Sequence, residues 1–361
     1  MKRRDLLGVM GAGPALSALG VARPSHAAVA PRALAFPADF GAHPETRTEW
    51  WYLTGVIQAG PREFGFQVTF FRSRTPVEPS ASRFAPTQIV FAHSALSDLA
   101  ERRQRHDQRI ARAGFGIAEA GTGDTAVSLR GWSLVRSGEP QRSLYRAQVA
   151  SDSAGFALDL QCSTTQPVLL QGNAGFSAKA PQPGPASHYY SQPQLQVQGQ
   201  IRLDGQALAA QGRAWLDHEW SDTLLHPEAV GWDWIGMNLD DGSALTAFRL
   251  RRADGSTLYA GGSLRNAAGQ QQTFGPGDLR FTPGRTWQSP ASQARYPVEW
   301  TVDTPAGRYR VVARFDAQEL DSRGSTGAWY WEGLCDLQGA GDAKVGRGYL
   351  EMTGYAGRLM L

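Results

Sequence analysis

The sequence is poor in cysteine and in charged side chains. Two cysteines, Cys162 and Cys335, occur far apart among 361 residues. Zinc and iron–sulfur centres built on closely spaced cysteines are therefore excluded, while the pair could form one disulfide in an oxidising compartment or remain two buried thiols. Charged residues make up 19% of the chain and hydrophobic residues 42%. This balance excludes a disordered chain.

Sequence motifs of the common catalytic families are also missing. The chain has no G-x-G-x-x-G following a strand, no phosphate-binding loop and no H-E-x-x-H motif. It has no G-x-S-x-G, so a serine nucleophile elbow is unsupported. The seven histidines are scattered, and no two of them have the spacing of a metal-ligand pair. We therefore expect neither a cofactor nor a metal ion.

Long hydrophobic runs are absent after residue 30, and the first thirty residues resemble a twin-arginine export signal. Arg3 and Arg4 precede an apolar stretch over residues 6–22, and small-x-Ala sequences follow over residues 25–30. A short membrane anchor is the alternative, although the stretch is short for a span of about 20 residues. Removal of residues 1–30 leaves 32 basic and 32 acidic residues. We expect a soluble periplasmic protein with no basic surplus to attract nucleic acid.

Alternating apolar and polar residues dominate the rest of the chain. In the run 64–70, Phe64, Phe66, Val68 and Phe70 face one way, as on a half-buried strand. Glycine-rich turns separate such runs. Similar runs cover residues 89–95, 156–161, 195–203, 212–220, 231–239, 244–250, 298–302, 309–315, 328–337 and 348–355.

Two segments depart from this pattern. The polar, arginine-rich stretch Asp98–Ala113 predicts a surface helix, and the Pro/Gly/Ser-rich stretch Ala178–Pro193 predicts a linker or a long loop. Many short strands with regular turns favour β-sandwiches or antiparallel barrels. The aromatic stretch 329–333 echoes residues 49–55 weakly, which two related barrels would explain.

Tryptophans and acidic residues are concentrated in three places, 48–52, 215–222 and 231–236. On a strand, His218 and Trp220 share one face and Asp217 lies on the other. Asp233 shares its face with apolar residues, where burial would raise the pKa of a carboxyl and make it a general acid. The structural alternatives are core tryptophans, an Asp233 paired with an arginine, and a His218 held by hydrogen bonds. Aromatic faces nearby could stabilise a cation.

These motifs resemble the AttH-like family, which is related to the carotenoid 1,2-hydratases, also called hydroxyneurosporene synthases. The resemblance covers residues from about 36 to 361 and implies two tandem calycin, or lipocalin-like, antiparallel β-barrels. We expect an export signal over 1–30, an N-terminal hydratase-type domain over 31–222 and a C-terminal domain over 223–361. The matching segments are 49–55, 64–72, 188–191, 215–220, 231–235, 238–242 and 348–355.

The resemblance implies cofactor-free protonation of an isoprenoid double bond followed by attack of water. His218 and Trp220 match a His-x-Trp pair of the hydratases. The later Tyr-x-Asp pair should fall near residues 245–249, where this sequence has neither residue. If the chain is an enzyme, the acid is then another carboxyl. The candidate catalytic residues are His218, Asp217 and Asp233, and the candidate substrate-binding residues are Trp220, Trp232, Trp234, Glu49, Trp51 and Tyr190.

Two functions remain open on the sequence. The first is an exported enzyme that hydrates or hydrolyses an apolar, isoprenoid- or lipid-like substrate. The second is a periplasmic carrier that binds an apolar small molecule or lipid without converting it and associates transiently with a membrane or a transporter. Convergence of His218 with Asp217 or Asp233 on one aromatic pocket would favour the enzyme, and their separation would favour the carrier.

Overall fold

The structure is a computed structural model that describes residues 29–78 and 82–358 of the 361. Most of the predicted export signal, residues 1–28, lies outside the described residues. The described chain is all-β, as predicted, and its two short 3₁₀ helices are Ala38–Phe40 and Ala340–Asp342. None of the helices in the described part is long and apolar enough to cross a membrane.

The first sheet is formed by strands β1 to β13, which together cover residues 48–221. Their order across the sheet is β4-β3-β2-β1-β13-β12-β9-β8-β7-β6-β5, with β10 and β11 paired to β12. The strands are β1 Thr48–Ala59, β2 Arg62–Arg74, β3 Gln88–Asp98, β4 Arg103–Arg112, β5 Ala118–Ala120, β6 Ala126–Leu129, β7 Trp132–Ser137, β8 Leu144–Ser151, β9 Phe156–Ser163, β10 Leu169–Leu170, β11 Phe176–Ala178, β12 Ala186–Leu203 and β13 Gln206–Ser221.

This first sheet curls until its edge strands β4 and β5 meet. The Gly114 N–H, just after β4, donates to the carbonyl oxygen of Ala118 over 2.7 Å. Arg109 of β4 donates to the carbonyl oxygen of Ala150 in β8 over 2.8 Å. The sheet is therefore a nearly closed antiparallel barrel, and closure leaves little unpaired edge.

The second sheet starts at Gly231 and has the order β17-β16-β15-β14-β25-β24-β22-β21-β18, with β23 paired to β24. Strands β19 and β20 form a separate hairpin. The strands are β14 Gly231–Leu239, β15 Ala244–Arg251, β16 Thr257–Arg265, β17 Gln271–Phe274, β18 Arg280–Pro283, β19 Thr286–Gln288, β20 Arg295–Pro297, β21 Glu299–Thr304, β22 Gly307–Ala313, β23 Glu319–Asp321, β24 Trp329–Gln338 and β25 Lys344–Met352.

The two sheets repeat one topology. The run β4-β3-β2-β1-β13-β12-β9-β8 of the first sheet corresponds to β17-β16-β15-β14-β25-β24-β22-β21 of the second. In this correspondence β1 matches β14, and β24 matches β12. The aromatic echo between residues 49–55 and 329–333 therefore joins strands that are not equivalent, although the halves are related.

Strand alternation gives each sheet an inner and an outer face. Inward residues such as Trp51 and Leu53 build the core of the first barrel, and Ile235 and Leu350 build that of the second sheet. The outer faces of the central strands pack against each other. Tyr52 and Trp215 of the first sheet meet Trp234 and Tyr349 of the second in a third apolar cluster. The space between the two sheets is thus a buried seam.

The predicted helix over Asp98–Ala113 is wrong. Residues 103–112 form β4, which pairs with β3 from Asp98↔Arg103 to Ile89↔Arg112. The strand is polar because its side chains bridge to other elements rather than fill a core. Gln104 donates to the carbonyl oxygen of Glu332 over 3.0 Å, and Gln108 donates to that of Asp321 over 2.6 Å.

The predicted linker or loop over Ala178–Pro193 is also wrong for its second half. Strand β12 begins at Ala186, and its polar residues Ser187 and Ser191 are fully buried. They bond to carboxylates of β13, which supplies the hydrogen bonds that a solvated loop would take from water. Pro193 is accommodated at a break in the pairing between Gln192 and Leu195.

The two cysteines lie in different cores. Cys162 is buried in the first barrel and Cys335 in the second sheet, and both are free thiols in the structure. Burial raises the pKa of both thiols, so neither is an activated nucleophile.

Candidate active site in the seam between the sheets

Strand β13 divides the predicted site residues between its two faces. Its register places His218 opposite Trp51 of β1 and Tyr190 of β12, and Asp217 opposite Tyr52 and Ser191. His218 and Trp220 therefore point into the first barrel, while Asp217 points toward the second sheet. His218 and Asp217 do not meet.

Inside the first barrel, Glu49 is the centre of a buried cluster of charged and polar groups, here called the inner cluster: Asp39, His43, Glu49, Arg72 and His218. Glu49 Oε1 lies 2.7 Å from Nδ1 of His43 and 2.9 Å from Nε2 of His218. Arg72 Nε donates to Glu49 Oε2 over 2.7 Å. Asp39 Oδ1 lies 3.0 Å from the other ring nitrogen of His43.

Aromatic rings enclose the inner cluster. His43 stacks on Trp220 with ring centroids 3.8 Å apart, and Trp51 stacks on His218 at 4.6 Å. The Tyr190 hydroxyl lies 3.0 Å from Nδ1 of His218. Four predicted substrate-binding residues are therefore packed into this barrel around the histidines: Glu49, Trp51, Tyr190 and Trp220.

The charges of the inner cluster are balanced by one another. Burial by itself would raise the pKa of Glu49, but the hydrogen bonds from His218 and His43 and the charge of Arg72 outweigh it and hold this pKa well below its usual value. Burial lowers the pKa of His218, against the opposing effect of Glu49. Glu49 is thus a paired carboxylate, and His218 is a neutral ring held between two partners.

Three members of the inner cluster could hold a metal ion. The donor atoms of His43, Glu49 and His218 lie within 4.8 Å of one another. However, Nδ1 of His43 and Nε2 of His218 both bond to the same oxygen of Glu49, and Arg72 already neutralises the carboxylate. A dication would have to displace these bonds and lie close to a buried guanidinium, which is electrostatically unfavourable.

Asp233 lies apart from the other candidates, on the inner face of the second sheet. Its Oδ2 accepts from Arg249 Nε over 2.7 Å, and its Oδ1 accepts from the Tyr355 hydroxyl over 2.9 Å. Arg251 lies 3.8 Å away. Asp233 is therefore a paired structural carboxylate, as in the arginine-paired alternative, and not an isolated acid on an apolar surface.

The seam between the sheets contains an open pocket, here called the seam pocket. Its walls come from outward-facing residues of β1, β2, β12, β13, β14, β15, β24 and β25. Its cavity volume is about 90 Å³. The aromatic lining is formed by Trp50, Tyr52, Phe71, Tyr189, Trp232, Trp234 and Phe248.

Asp217 is buried at the wall of the seam pocket and accepts three hydrogen bonds. Tyr189 donates over 2.8 Å, Ser191 over 2.5 Å and Trp215 Nε1 over 2.7 Å. Burial raises its pKa to about 7, while these three bonds oppose the rise. Trp234 Nε1 donates to the Tyr189 hydroxyl over 3.1 Å, so Asp217 fixes the orientation of a pocket wall.

Two further carboxyls from the second sheet line the same pocket. Glu332 of β24 is 1% exposed, and neither of its oxygens has a hydrogen-bond partner among the described residues. Burial and the neighbouring Glu351 raise the pKa of Glu332 well above its usual value, and the nearby hydroxyls of Tyr52 and Tyr330 oppose the rise. Burial raises the pKa of Glu351 to about 7, and Trp232 Nε1 donates to it over 2.9 Å.

One lysine stands beside these acids in the lining of the seam pocket. Lys179 Nζ lies 2.7 Å from Glu219 Oε1, and Ser187 donates to the same oxygen over 2.5 Å. The ammonium also lies 4.4 Å from the centroid of the Phe248 ring. Lys179 is therefore paired with Glu219, and no other lysine or arginine is among the described lining residues to balance Asp217, Glu332 and Glu351.

Three of the candidates named on the sequence, Asp217, Trp232 and Trp234, line this pocket, whereas Glu332 and Glu351 were not among the candidates. Glu351 occurs in a segment that carries the family resemblance and Glu332 in the aromatic stretch 329–333, and each has the outward parity of its strand: Glu332 alternates with Trp331, and Glu351 with Leu350. Strand alternation in the sequence predicts that both glutamates face outward. It does not predict that a second sheet covers this face.

Comparison with known proteins agrees with the predicted family. The model of the AttH-like family matches residues 27–355. The chain belongs to the AttH-like family. A search of curated proteins gives no match.

Solved structures share the fold. A crystal structure of a candidate AttH protein from Nitrosomonas europaea is 45% identical, has a TM-score of 0.84, and the match covers 91% of this chain and 98% of that one. Kievitone hydratase from Nectria haematococca is 16% identical with a TM-score of 0.69, over 89% of this chain and 93% of that one. CghA is 13% identical with a TM-score of 0.52, over 86% and 88%. The last two show the lipocalin-like fold alone.

Proposed function

We propose that this protein is a cofactor-free hydratase that adds water to a double bond of an apolar, isoprenoid-like substrate held in the seam pocket. One observation carries the proposal. Glu332 is a buried carboxylic acid that faces an aromatic pocket, with no hydrogen-bond partner on either oxygen among residues 29–78 and 82–358 and a pKa raised well above its usual value. Such an acid keeps its proton at neutral pH and can give it to a substrate.

The first step transfers the Glu332 proton to one carbon of the double bond and leaves a tertiary carbocation on the other. The faces of Trp50 and Phe71 line the pocket and can stabilise that cation by about 0.5–2 kcal/mol each. Glu332 becomes a carboxylate in this step, and its charge also favours the cation.

The second step is attack of water on the cation. Glu351 suits the role of base because its pKa of about 7 leaves part of the population ionised at neutral pH, and its side chain is partly accessible to solvent. It takes a proton from the attacking water and then releases it, and Glu332 takes up one proton in return, so that both carboxyls regain their starting protonation states. The sum is alkene plus water giving a tertiary alcohol. Two carboxyls with separated pKa values divide the acid and base roles.

In this proposal Asp217 positions the pocket wall and does not donate the proton. Its two oxygens already accept three hydrogen bonds, which leaves it poorly placed to donate one toward the substrate. Hydrolysis is less well supported, because the seam pocket has no activated nucleophile among its described lining residues. The hydratase among the solved structures lends the proposal support at the level of the fold.

The test is incubation of the purified protein with geranylgeraniol and with squalene in heavy-oxygen water. We expect a product heavier by one labelled water, detected by mass spectrometry and formed far more slowly with Glu332→Gln. Unlabelled product, or equal product from Glu332→Gln, would refute the assignment of Glu332. The Glu228→Gln variant, which changes an exposed carboxylate, is the matched control.

A carrier is the second candidate, and one observation favours it. His218, Asp217 and Asp233 do not converge on one pocket, and their separation was the expected sign of a binding protein. A carrier would release an unchanged apolar ligand on solvent extraction of the purified protein. Recovery of the same ligand, with no labelled product from any probe, would replace the hydratase by the carrier.

We also propose that the chain acts after export to the periplasm, as two domains over 31–222 and 223–361 following removal of residues 1–30. The proposal is supported by Arg3-Arg4 and the small-x-Ala sequences that follow. Replacing both arginines by lysine should retain the precursor in the cytoplasm. Unchanged export of that variant would contradict a twin-arginine signal.

A further inference from the structure

A second pocket opens beside the seam pocket and shares two of its walls. It lies between β11, β12 and strands β15 to β17 of the second sheet, and it offers about 410 Å³ to the centres of water-sized spheres. Tyr189 and Phe248 line both pockets. A ligand held in the seam pocket could therefore extend past these two rings into the second one.

The lining of this second pocket is polar but carries no charge. Its side chains provide amides from Gln171 and Asn173, hydroxyls from Ser177 and Tyr259, and aromatic faces from Phe176 and Phe274, and none of its described lining residues is acidic or basic. The seam pocket, in contrast, holds four carboxyls and a lysine. The two pockets therefore suit different chemical groups.

Some polar groups of the second pocket await a partner. Ser177 is 3% exposed, and within the described chain neither its hydroxyl nor that of Tyr259 forms a hydrogen bond. Both hydroxyls line the pocket and are free to donate to or accept from a bound molecule.

A buried chain of hydrogen bonds joins this pocket to the acid wall of the seam pocket. Ser263 donates to Gln171 Oε1 over 2.8 Å, Gln171 Nε2 donates to Ser191 over 2.9 Å, and Ser191 donates to Asp217 over 2.5 Å. The amide of Gln171 is thereby held in one orientation. The polar lining is thus preorganised rather than free to rearrange.

From these observations we propose that the second pocket is a subsite for an uncharged, hydroxyl-bearing group at the end of the apolar ligand. Amides and hydroxyls would bond to its hydroxyls, and the aromatic faces would cover its apolar edges. A carboxylate or phosphate would find no counter-charge there and would be desolvated at a cost. The inference deepens the proposed function, since it assigns a second part of the same ligand.

The test is calorimetric titration of the purified full chain with three probes below their micelle concentrations. Octanol presents the alkyl chain alone, octyl β-glucoside adds an uncharged hydroxylated group, and octanoate adds a charge. We expect the glucoside to bind about tenfold more tightly than octanol, or about 1.4 kcal/mol. Octanoate should bind no more tightly than octanol.

Two exposed residues of β17 provide a matched pair of variants. Thr273 lines the second pocket, whereas its neighbour Gln272 does not, and both are exposed, so the fold should accept either change. Thr273→Trp should abolish the tenfold advantage of the glucoside and leave octanol binding unchanged, while Gln272→Trp should preserve both.

Equal affinities of octanol and glucoside, or a glucoside advantage that survives Thr273→Trp, would overturn the subsite. Failure of the proposed hydratase looks different. If the glucoside advantage depends on Thr273 but no probe alkene gains labelled water, the subsite stands and the hydration is wrong.

Discussion

Buried acids lie on both sides of the first sheet, in opposite circumstances. On the inner face, the carboxylate of Glu49 is bonded to Arg72 and two histidines, and aromatic rings fill the surrounding space. On the outer face, Asp217 shares an open pocket with Glu332 and Glu351, and the one lysine in its lining is bonded to Glu219. Both sets are buried, but only the outer set stands beside room for a ligand.

The difference separates a charged group with a structural role from acids that can transfer a proton. Pairing lowers the pKa of Glu49, which fixes one protonation state and gives the barrel a rigid polar interior. Burial without a cation raises the pKa values of the outer acids, which keeps protons available at neutral pH. The His-x-Trp resemblance pointed to the inner face, whereas the groups able to transfer a proton lie on the outer one.

The largest effect should come from the outer face. Glu332→Gln removes the proposed donated proton but keeps a neutral side chain of similar shape. We expect the rate of labelled-water addition to fall by about 10²–10⁴-fold, with the free energy of unfolding in urea no lower than that of the wild type. A rate within about threefold of the wild type would make the two faces alike in function.

The next effect tests the inner face. Glu49→Gln leaves the Arg72 guanidinium buried without its counter-charge. The free energy of unfolding should fall by about 3–5 kcal/mol, measured by urea denaturation. Asp159→Asn, which breaks a half-exposed pair with Arg146, is the control and should cost less than about 1 kcal/mol. A Glu49 variant as stable as the wild type would contradict the paired description.

The pH dependence of stability should separate the faces by sign. Asp217 has a pKa of about 7 in the folded chain and of about 3.9 when unfolded. Between these pH values the folded state binds the proton more tightly than the unfolded state does. The contribution of Asp217 to the free energy of unfolding is therefore complete below about pH 4 and is lost as pH rises to about 7. Glu49, with its lowered pKa, contributes above its unfolded pKa and loses that contribution on acidification.

The Asp217→Asn variant isolates the pH-dependent contribution of Asp217 to the free energy of unfolding. Relative to the variant, the wild type should lose up to about 4 kcal/mol of unfolding free energy between pH 4 and 7. The measurement is urea denaturation of both proteins at several pH values. A difference that does not change with pH would show that Asp217 is ionised throughout, like Glu49.

The smallest effect concerns the aromatic wall. Trp50 lines the seam pocket and forms no hydrogen bond within the described chain. Trp50→Leu should slow water addition by about 2–30-fold, which corresponds to the loss of one cation–π contact. Trp329→Leu, at a partly exposed tryptophan outside the pocket, should leave the rate unchanged. Equal effects of the two substitutions on the rate would contradict stabilisation of a carbocation by the Trp50 ring.

The sequence predicted the all-β class, the family and the opposite orientation of residues 217 and 218, because alternation is a local property of a strand. Of the candidate residues it named, Asp217, Trp232 and Trp234 line the seam pocket. It did not predict β4, since an edge strand whose side chains bridge to other elements carries no apolar alternation.

Prediction of Glu332 and Glu351 as site residues would have required the tertiary structure. Parity places Glu332 and Glu351 on the outward faces of β24 and β25, but a glutamate facing outward usually meets water. Only the packing of one sheet on the other buries them. His43 and Arg72 were missed because a segment before β1 and the neighbouring strand β2 bring them to Glu49. The sequence left Asp233 open between a general acid and an arginine-paired carboxylate, because the arginines that pair with it lie on the next strand, β15.

The protonation state of Glu332 in the unliganded protein is the most direct test of the account. Infrared spectroscopy of the purified chain at pH 7 resolves the carbonyl stretch of a protonated carboxyl from the bands of ionised carboxylates. We predict such a band in the wild type and a clearly weaker band in Glu332→Gln, where only the partly protonated Asp217 and Glu351 still contribute, with Glu49→Gln leaving the band unchanged. A wild-type spectrum without that band at pH 7, or a band that survives Glu332→Gln unchanged, would contradict the account.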